Sequence, residues 1–98
     1  MNDKLFKIFS HFGYRKQLRK FNEECYELTE AMLDNEREHI VEEIADVQVL
    51  LNQFKELYKI HDDEIVEIME QKIERTLERI KAGYYDKSKK VEECINRM

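Results

Sequence analysis

QLRKFNEECYELTEAMLDNEREHIVEEIADVQVLLNQF, residues 17–54, is the stretch that decides the fold. In its first half Leu18, Phe21, Cys25, Leu28 and Met32 recur at alternating spacings of three and four, which is one stripe of an α-helix over residues 14–33. The second half repeats the device with Ile40, Ile44, Val47, Leu51 and Phe54, and the stripe runs on to Tyr58. Between the halves Asp34 and Asn35 read as turn and N-cap residues, and Asn35 with Glu38 makes a capping-box-like pair expected to open the second helix. A connection this short makes the two helices antiparallel neighbours.

Upstream, Leu5, Ile8, Phe9 and Phe12 mark a short amphipathic helix from Asp3 to Phe12, interrupted by Gly13. Its flanking basic residues are too few for a membrane anchor, so it reads as a packing element. Downstream, His61, Asp62 and Asp63 make a second break, and acids at a helix N-terminus suit the macrodipole. A third long helix then runs to about Ala82, with Ile65, Met69, Ile73, Thr76, Leu77 and Ile80 expected to face inward and Gly83 as its C-cap. The tail, about 87–98, carries Val91, Cys94, Ile95 and Met98 at helical spacing. The expectation is one all-α domain over residues 1–98, a helical hairpin plus further helices assembling into a helical bundle.

Composition agrees with that class. There is no proline and there are two glycines, while 40% of residues are charged and 42% hydrophobic, which suits amphipathic helices and starves a sheet of turns. A 98-residue chain buries only about 60 to 65% of the surface its unfolded form exposes, so its own core is thin. A formal charge of −5 argues against binding nucleic acid through the phosphate backbone. No apolar run approaches the ~20 residues that span a bilayer, and the start, MNDKLFKIFS, lacks a secretory signal. Cys25 and Cys94 form neither a CxxC pair nor a zinc spacing and read as reduced and structural. A cytoplasmic protein is expected.

Acidic residues on helices produce ExxE spacings by chance, so position must discriminate among them. At about 100° per residue, Glu24 and Glu27 fall on the edge of their helix's apolar stripe, and Glu43 projects between Leu50 and Phe54 with Asp46 just beyond. Counted from the turn, Glu24 is level with Asp46 and Glu27 with Glu43, each to within about 1.5 Å. Two like charges ~4 Å apart repel by about 4 kcal/mol at an effective dielectric near 20. A divalent cation resolves that conflict, and all-oxygen ligation selects a hard ion, Mg2+ first and Mn2+ second. His39, one turn before Glu43, reads as a surface histidine, with ligand or proton acceptor as the alternative. On the third helix Lys72, Arg75 and Arg79 lie along the stripe's edge, suited either to substrate phosphates or to ordinary salt bridges.

The order Glu23-Glu24-x-x-Glu27, fifteen intervening residues, then Glu43-x-x-Asp46 resembles the EExxE and ExxD signature of the MazG-like nucleoside triphosphate pyrophosphohydrolases. QLRKFNEECYELTEA and HIVEEIADVQVLLNQF are similar to that family's motif helices and KIERTLERIKAG to its following basic helix, a likeness covering about residues 13–83. The resemblance implies Mg-dependent hydrolysis of a nucleoside triphosphate to monophosphate and pyrophosphate. It implies metal ligation by Glu24, Glu27, Glu43 and Asp46, and a water-orienting role for Glu23 beside Glu24. It also implies a sugar or base contact for Gln17, with Tyr14 and Tyr26 open to stacking or to packing. Three stripes on so few residues predict a homodimer with a shared bundle, which the resemblance supports. The alternatives are a non-enzymatic helical interaction module and phosphoribosyl-ATP pyrophosphatase. VQVLLNQF after Asp46 lacks the histidine expected of the latter.

Overall fold

The computed structural model describes residues 2–86 and divides the chain into two units, residues 1–61 and 62–98. The first unit holds α1 (Asp3–Phe12), α2 (Tyr14–Asp34) and α3 (Arg37–Leu57); the second holds α4 (Asp62–Lys81). All four helices fall where the periodicity places them. The expected tail helix, with Val91, Cys94, Ile95 and Met98, lies outside the described residues.

α2 and α3 form the antiparallel hairpin. The turn between them differs from the expectation in its chemistry. Asn35 closes α2 in the left-handed conformation (φ 57°, ψ 34°), its N–H donating to the Met32 carbonyl, and Glu36 precedes α3 with no side-chain cap. The Asn35/Glu38 capping box is therefore not formed. A two-residue link, Asn35 and Glu36, leaves room for one helix-ending residue, and Asn tolerates positive φ better than most non-glycine residues.

The register is fixed at the hairpin's open end. Gln17 Nε2 donates to Gln53 Oε1 at 2.8 Å, Phe21 and Phe54 meet edge to face with centroids 5.9 Å apart, and the Tyr14 and Tyr58 hydroxyls share a hydrogen bond. Gln17 and Gln53 are equidistant from the turn on the same count that levels Glu24 with Asp46. The buried line on α2 is Gln17, Glu24 and Ala31, spaced by sevens; on α3 it is Glu43 and Leu50, with Gln53 one turn on. This line is displaced from the apolar stripe that periodicity picks out. Phe21, Cys25 and Leu28 flank it half-buried, whereas Leu18 and Met32 are exposed. Glu24 thus sits in the middle of the packed face rather than at its edge.

α1 crosses the open end of the hairpin. The Asn2 side chain caps it by accepting from the Lys4 N–H at 2.9 Å, and the Asn2 N–H donates to the Glu56 carboxylate of α3. Leu5 and Phe9 are half-buried, and Phe9 meets Tyr14 edge to face. Gly13 joins α1 to α2 at φ 84°, ψ 163°. In the second unit, Gly83 (φ 75°) caps α4 as predicted: its N–H donates to Ile80 and that of Tyr84 to Arg79, closing a Schellman motif. The same pair of bonds, Lys59 to Glu56 and Ile60 to Lys55, ends α3 with Lys59 in the left-handed position. The inward face expected of α4 is not covered: Met69, Ile73, Leu77 and Ile80 are exposed, since one helix cannot shield its own stripe.

Gly13 is the backbone position most open to test. Its dihedrals lie where an L-residue is strained, although an added Cβ would meet no neighbour within 4 Å. Gly13→Ala should lower stability to urea by about 1 to 3 kcal/mol through backbone strain alone. Unchanged stability would show that the α1–α2 joint relaxes freely.

Candidate functional site

The hairpin brings together three of the four acids that the turn count levels, with Asp46 outside the cluster. One carboxylate oxygen from each of Glu24, Glu27 and Glu43 lies within 4.8 Å of the others. Glu24 and Glu43 are buried, at 4% and 7% exposure, while Glu27 and Asp46 are exposed at the rim. Asp46 lines the same cleft as Glu24 and feels its charge.

The two buried carboxylates are treated alike. Lys20 Nζ lies 3.1 Å from Glu24 Oε1, and His39 Nε2 lies 3.2 Å from Glu43 Oε1, each partner one helical turn before its acid. In both cases the other oxygen, Oε2, is buried with no hydrogen-bond partner. Buried oxygens without partners are costly, and two on facing helices make a site short of positive charge. His39 is thereby placed against Glu43, half of its side chain still open to water.

The electrostatics separate the acids. Burial works against the Glu24 carboxylate, but the bond to Lys20, the proximity of the Glu43 carboxyl and the Lys20 charge outweigh it, holding the carboxyl below its ordinary range. Burial pushes Glu43 up, reinforced by contact with Glu24 and by the charges of Glu27, Glu24 and Asp46. Asp46 is likewise raised by burial and then by Glu24. The bond to Glu24 raises Lys20 in turn. Glu24 thus favours its charged form while Glu43 and Asp46 disfavour theirs, the pattern that crowded carboxylates give.

Beside the acids an open cleft of about 1150 Å3 runs along α1, α2 and α3. Its polar end carries Lys20, Glu23, Glu24 and Asp46; the rest of the lining holds the apolar Ile8, Phe12, Val49 and Leu50, the basic Arg15, Lys16 and Arg19, and Gln17 and Gln53. Gln17 therefore lines the cleft and is bonded to Gln53, a residue the apolar stripe passes over. Lys20 was equally overlooked. Both were legible by spacing: Lys20 is one turn from Glu24, and Gln53 is two turns from Asp46. Lys72, Arg75 and Arg79 lie on α4 in the second unit, where the Arg79 guanidinium sits 5.0 Å from the centre of the Tyr84 ring. Tyr14 is engaged with Tyr58, and Tyr26 is exposed.

A family model described as the MazG nucleotide pyrophosphohydrolase domain matches residues 12–80. The chain belongs to that family. The MazG match spans α2, α3 and nearly all of α4, leaving most of α1 outside it. No curated protein and no solved structure matches the chain closely enough for comparison. Among the described residues no helix is long and apolar enough to cross a membrane.

The residues present fit a metal of the kind the MazG family implies. The donors are all carboxylate oxygens, the preference of a hard divalent cation, and two are buried without partners. Glu43→Gln should therefore raise the thermal midpoint of the metal-free protein by a few degrees by removing a charge its neighbours oppose. The same change should abolish the stabilisation that millimolar Mg2+ confers on the native chain. Equal metal stabilisation of both proteins, read by calorimetry, would show that Glu43 holds no cation.

Proposed function

We propose that this MazG-family chain is a Mg-dependent nucleoside triphosphate pyrophosphohydrolase, with Mn2+ as a substitute. The observation that carries the reading is the meeting of Glu24, Glu27 and Glu43 within 4.8 Å across the hairpin, with Oε2 of both Glu24 and Glu43 buried and without a partner.

Glu24, Glu27, Glu43 and Asp46 hold the cation. When bound, it offsets phosphate charge and makes a water molecule more acidic at neutral pH. The chain's own groups then position the reactants. Glu23, exposed on the cleft wall beside Glu24, accepts the proton of the attacking water. Water adds to the α-phosphorus, the bond from that phosphorus to the bridging oxygen breaks, and pyrophosphate leaves with the bond's electron pair. Lys20, whose ammonium is tied to Glu24 at the polar end, is placed to meet phosphate oxygens. The parallel assignment of Lys72, Arg75 and Arg79 to substrate phosphates rests on their place along the edge of α4's stripe and on the likeness of that helix to the family's basic helix; the assignment of Lys20 rests instead on its place on the cleft wall.

The working unit is a homodimer. Exposed apolar side chains recur on α2 (Leu18, Met32, Leu33), on α3 (Val41, Ile44, Leu51) and along α4, with Leu33 at 76% exposure. A second copy with the same stripes covers them by forming a shared bundle. Light scattering after size exclusion should give twice the chain mass at every concentration tried, and a compact monomer throughout would overturn this assignment.

Phosphorus NMR tests the reaction. A triphosphate panel with protein and Mg2+ should give equal monophosphate and pyrophosphate, with heavy oxygen from labelled water in the monophosphate. Glu24→Gln and Glu43→Gln should each slow turnover by about a hundredfold or more. Orthophosphate with diphosphate would indicate a different bond, and no turnover across the panel would favour an interaction module.

A further inference from the structure

Gln53 is the most deeply buried large side chain among the described residues, at 1% exposure, yet it lines the cleft together with Gln17, at 4%. Burying two amides beside an apolar wall is expensive unless they are bonded, and the 2.8 Å bond from Gln17 Nε2 to Gln53 Oε1 uses one donor and one acceptor. That bond leaves over one acceptor, Gln17 Oε1, and one donor, Gln53 Nε2. Reversing both amides together preserves the mutual bond and leaves a donor on Gln17 and an acceptor on Gln53. A bonded amide pair thus always presents one donor beside one acceptor, in either order.

Placement along the hairpin suggests what is read. Gln17 lies seven residues before Glu24 on α2, and Gln53 seven residues after Asp46 on α3, so the pair stands two turns, about 10 Å, from the acids. That is the reach from the phosphates of a nucleotide to the far edge of its base. The lining beside them includes basic side chains, Arg15, Lys16 and Arg19 on α2, and apolar ones, Val49 and Leu50 on α3 between Asp46 and Gln53 with Ile8 and Phe12 on α1, and the apolar ones suit the face of a base or sugar.

We infer that the Gln17–Gln53 pair is the nucleobase-reading element of this cleft, and that it accepts amino-bearing and keto-bearing bases alike. The inference rests on the nucleotide reading above. Cytosine and adenine present an amino donor beside a ring acceptor. Uracil and hypoxanthine present a carbonyl acceptor beside a ring N–H, the reverse order, which the amides match by turning over together. Selection by ring size is left to the apolar walls, and the amide pair supplies orientation without choosing between the members of each amino/keto couple.

Equilibrium binding of nucleoside monophosphates, which needs no turnover, tests this. The native protein should bind CMP and UMP with affinities within about threefold of each other, and likewise AMP and IMP, because each couple makes the same number of hydrogen bonds. Gln53→Met and Gln17→Met should each weaken binding of those monophosphates by about tenfold, and the double variant little further, since either change breaks the shared unit. Ribose 5-phosphate, which has no base, should bind the native protein and both variants equally, which excludes a general loss of fold. Discrimination beyond tenfold within a couple overturns the tolerance, and variants that bind monophosphates as tightly as the native chain overturn the assignment of the pair. Base-dependent binding by a protein that releases no pyrophosphate would overturn the hydrolase reading while supporting the pair.

Discussion

Everything in the first unit is arranged around two carboxylates that face each other across a helical hairpin, each with one oxygen satisfied and one left over. Lys20 and His39 reach their acids from the preceding turn of the same helix, so the satisfied oxygens are fixed locally, whatever the hairpin does. The unsatisfied ones exist only because α2 and α3 pack in a particular register. Folding therefore creates the demand for positive charge, and a divalent cation meets it with the fewest particles. The stability of this unit and the metal binding proposed for it would be two views of the same balance.

That balance explains the unusual interior. Among the described residues the buried apolar side chains are Ala31 and Leu50, while Gln17, Glu24, Glu43 and Gln53 are buried and polar. A small domain is short of core to begin with. Here the central seam of the hairpin is given to chemistry, and the larger apolar side chains are pushed to its flanks, where Phe21, Cys25, Leu28, Val47 and Phe54 are half-covered and others remain open to water. The proposed dimer would return those flanks to a dry environment without disturbing the polar seam.

Periodicity located all four described helices and the hairpin, because apolar spacing reports directly on which side of a helix is hidden. It misplaced the hidden side itself. An apolar stripe records everything a helix covers, including surfaces a second copy would meet, so its centre lies between two different contacts. Glu24 consequently looked peripheral although it is central. Counting residues from the turn was the sounder guide to the acids, since it depends on helix rise alone, and the Gln17–Gln53 bond fixes the same register independently. The turn was misjudged for a related reason: Asn serves equally at the end of one helix and the start of another, and only the backbone angles distinguish the two. Gln53 went unnoticed because a glutamine amid leucines carries no spacing signature until its partner across the hairpin is known.

The seven-residue spacing on α2 and α3 makes length a functional quantity. Replacing a flanking side chain alters how well one surface is covered. Deleting a single residue between Gln17 and Glu24 would instead turn one end of the cleft about 100° away from the other, however conservative the remaining side chains. A change of seven residues in both helices at once would bring the faces back into line but lengthen the cleft by two turns, so the distance from the amide pair to the acids is written into the helices as a number of residues.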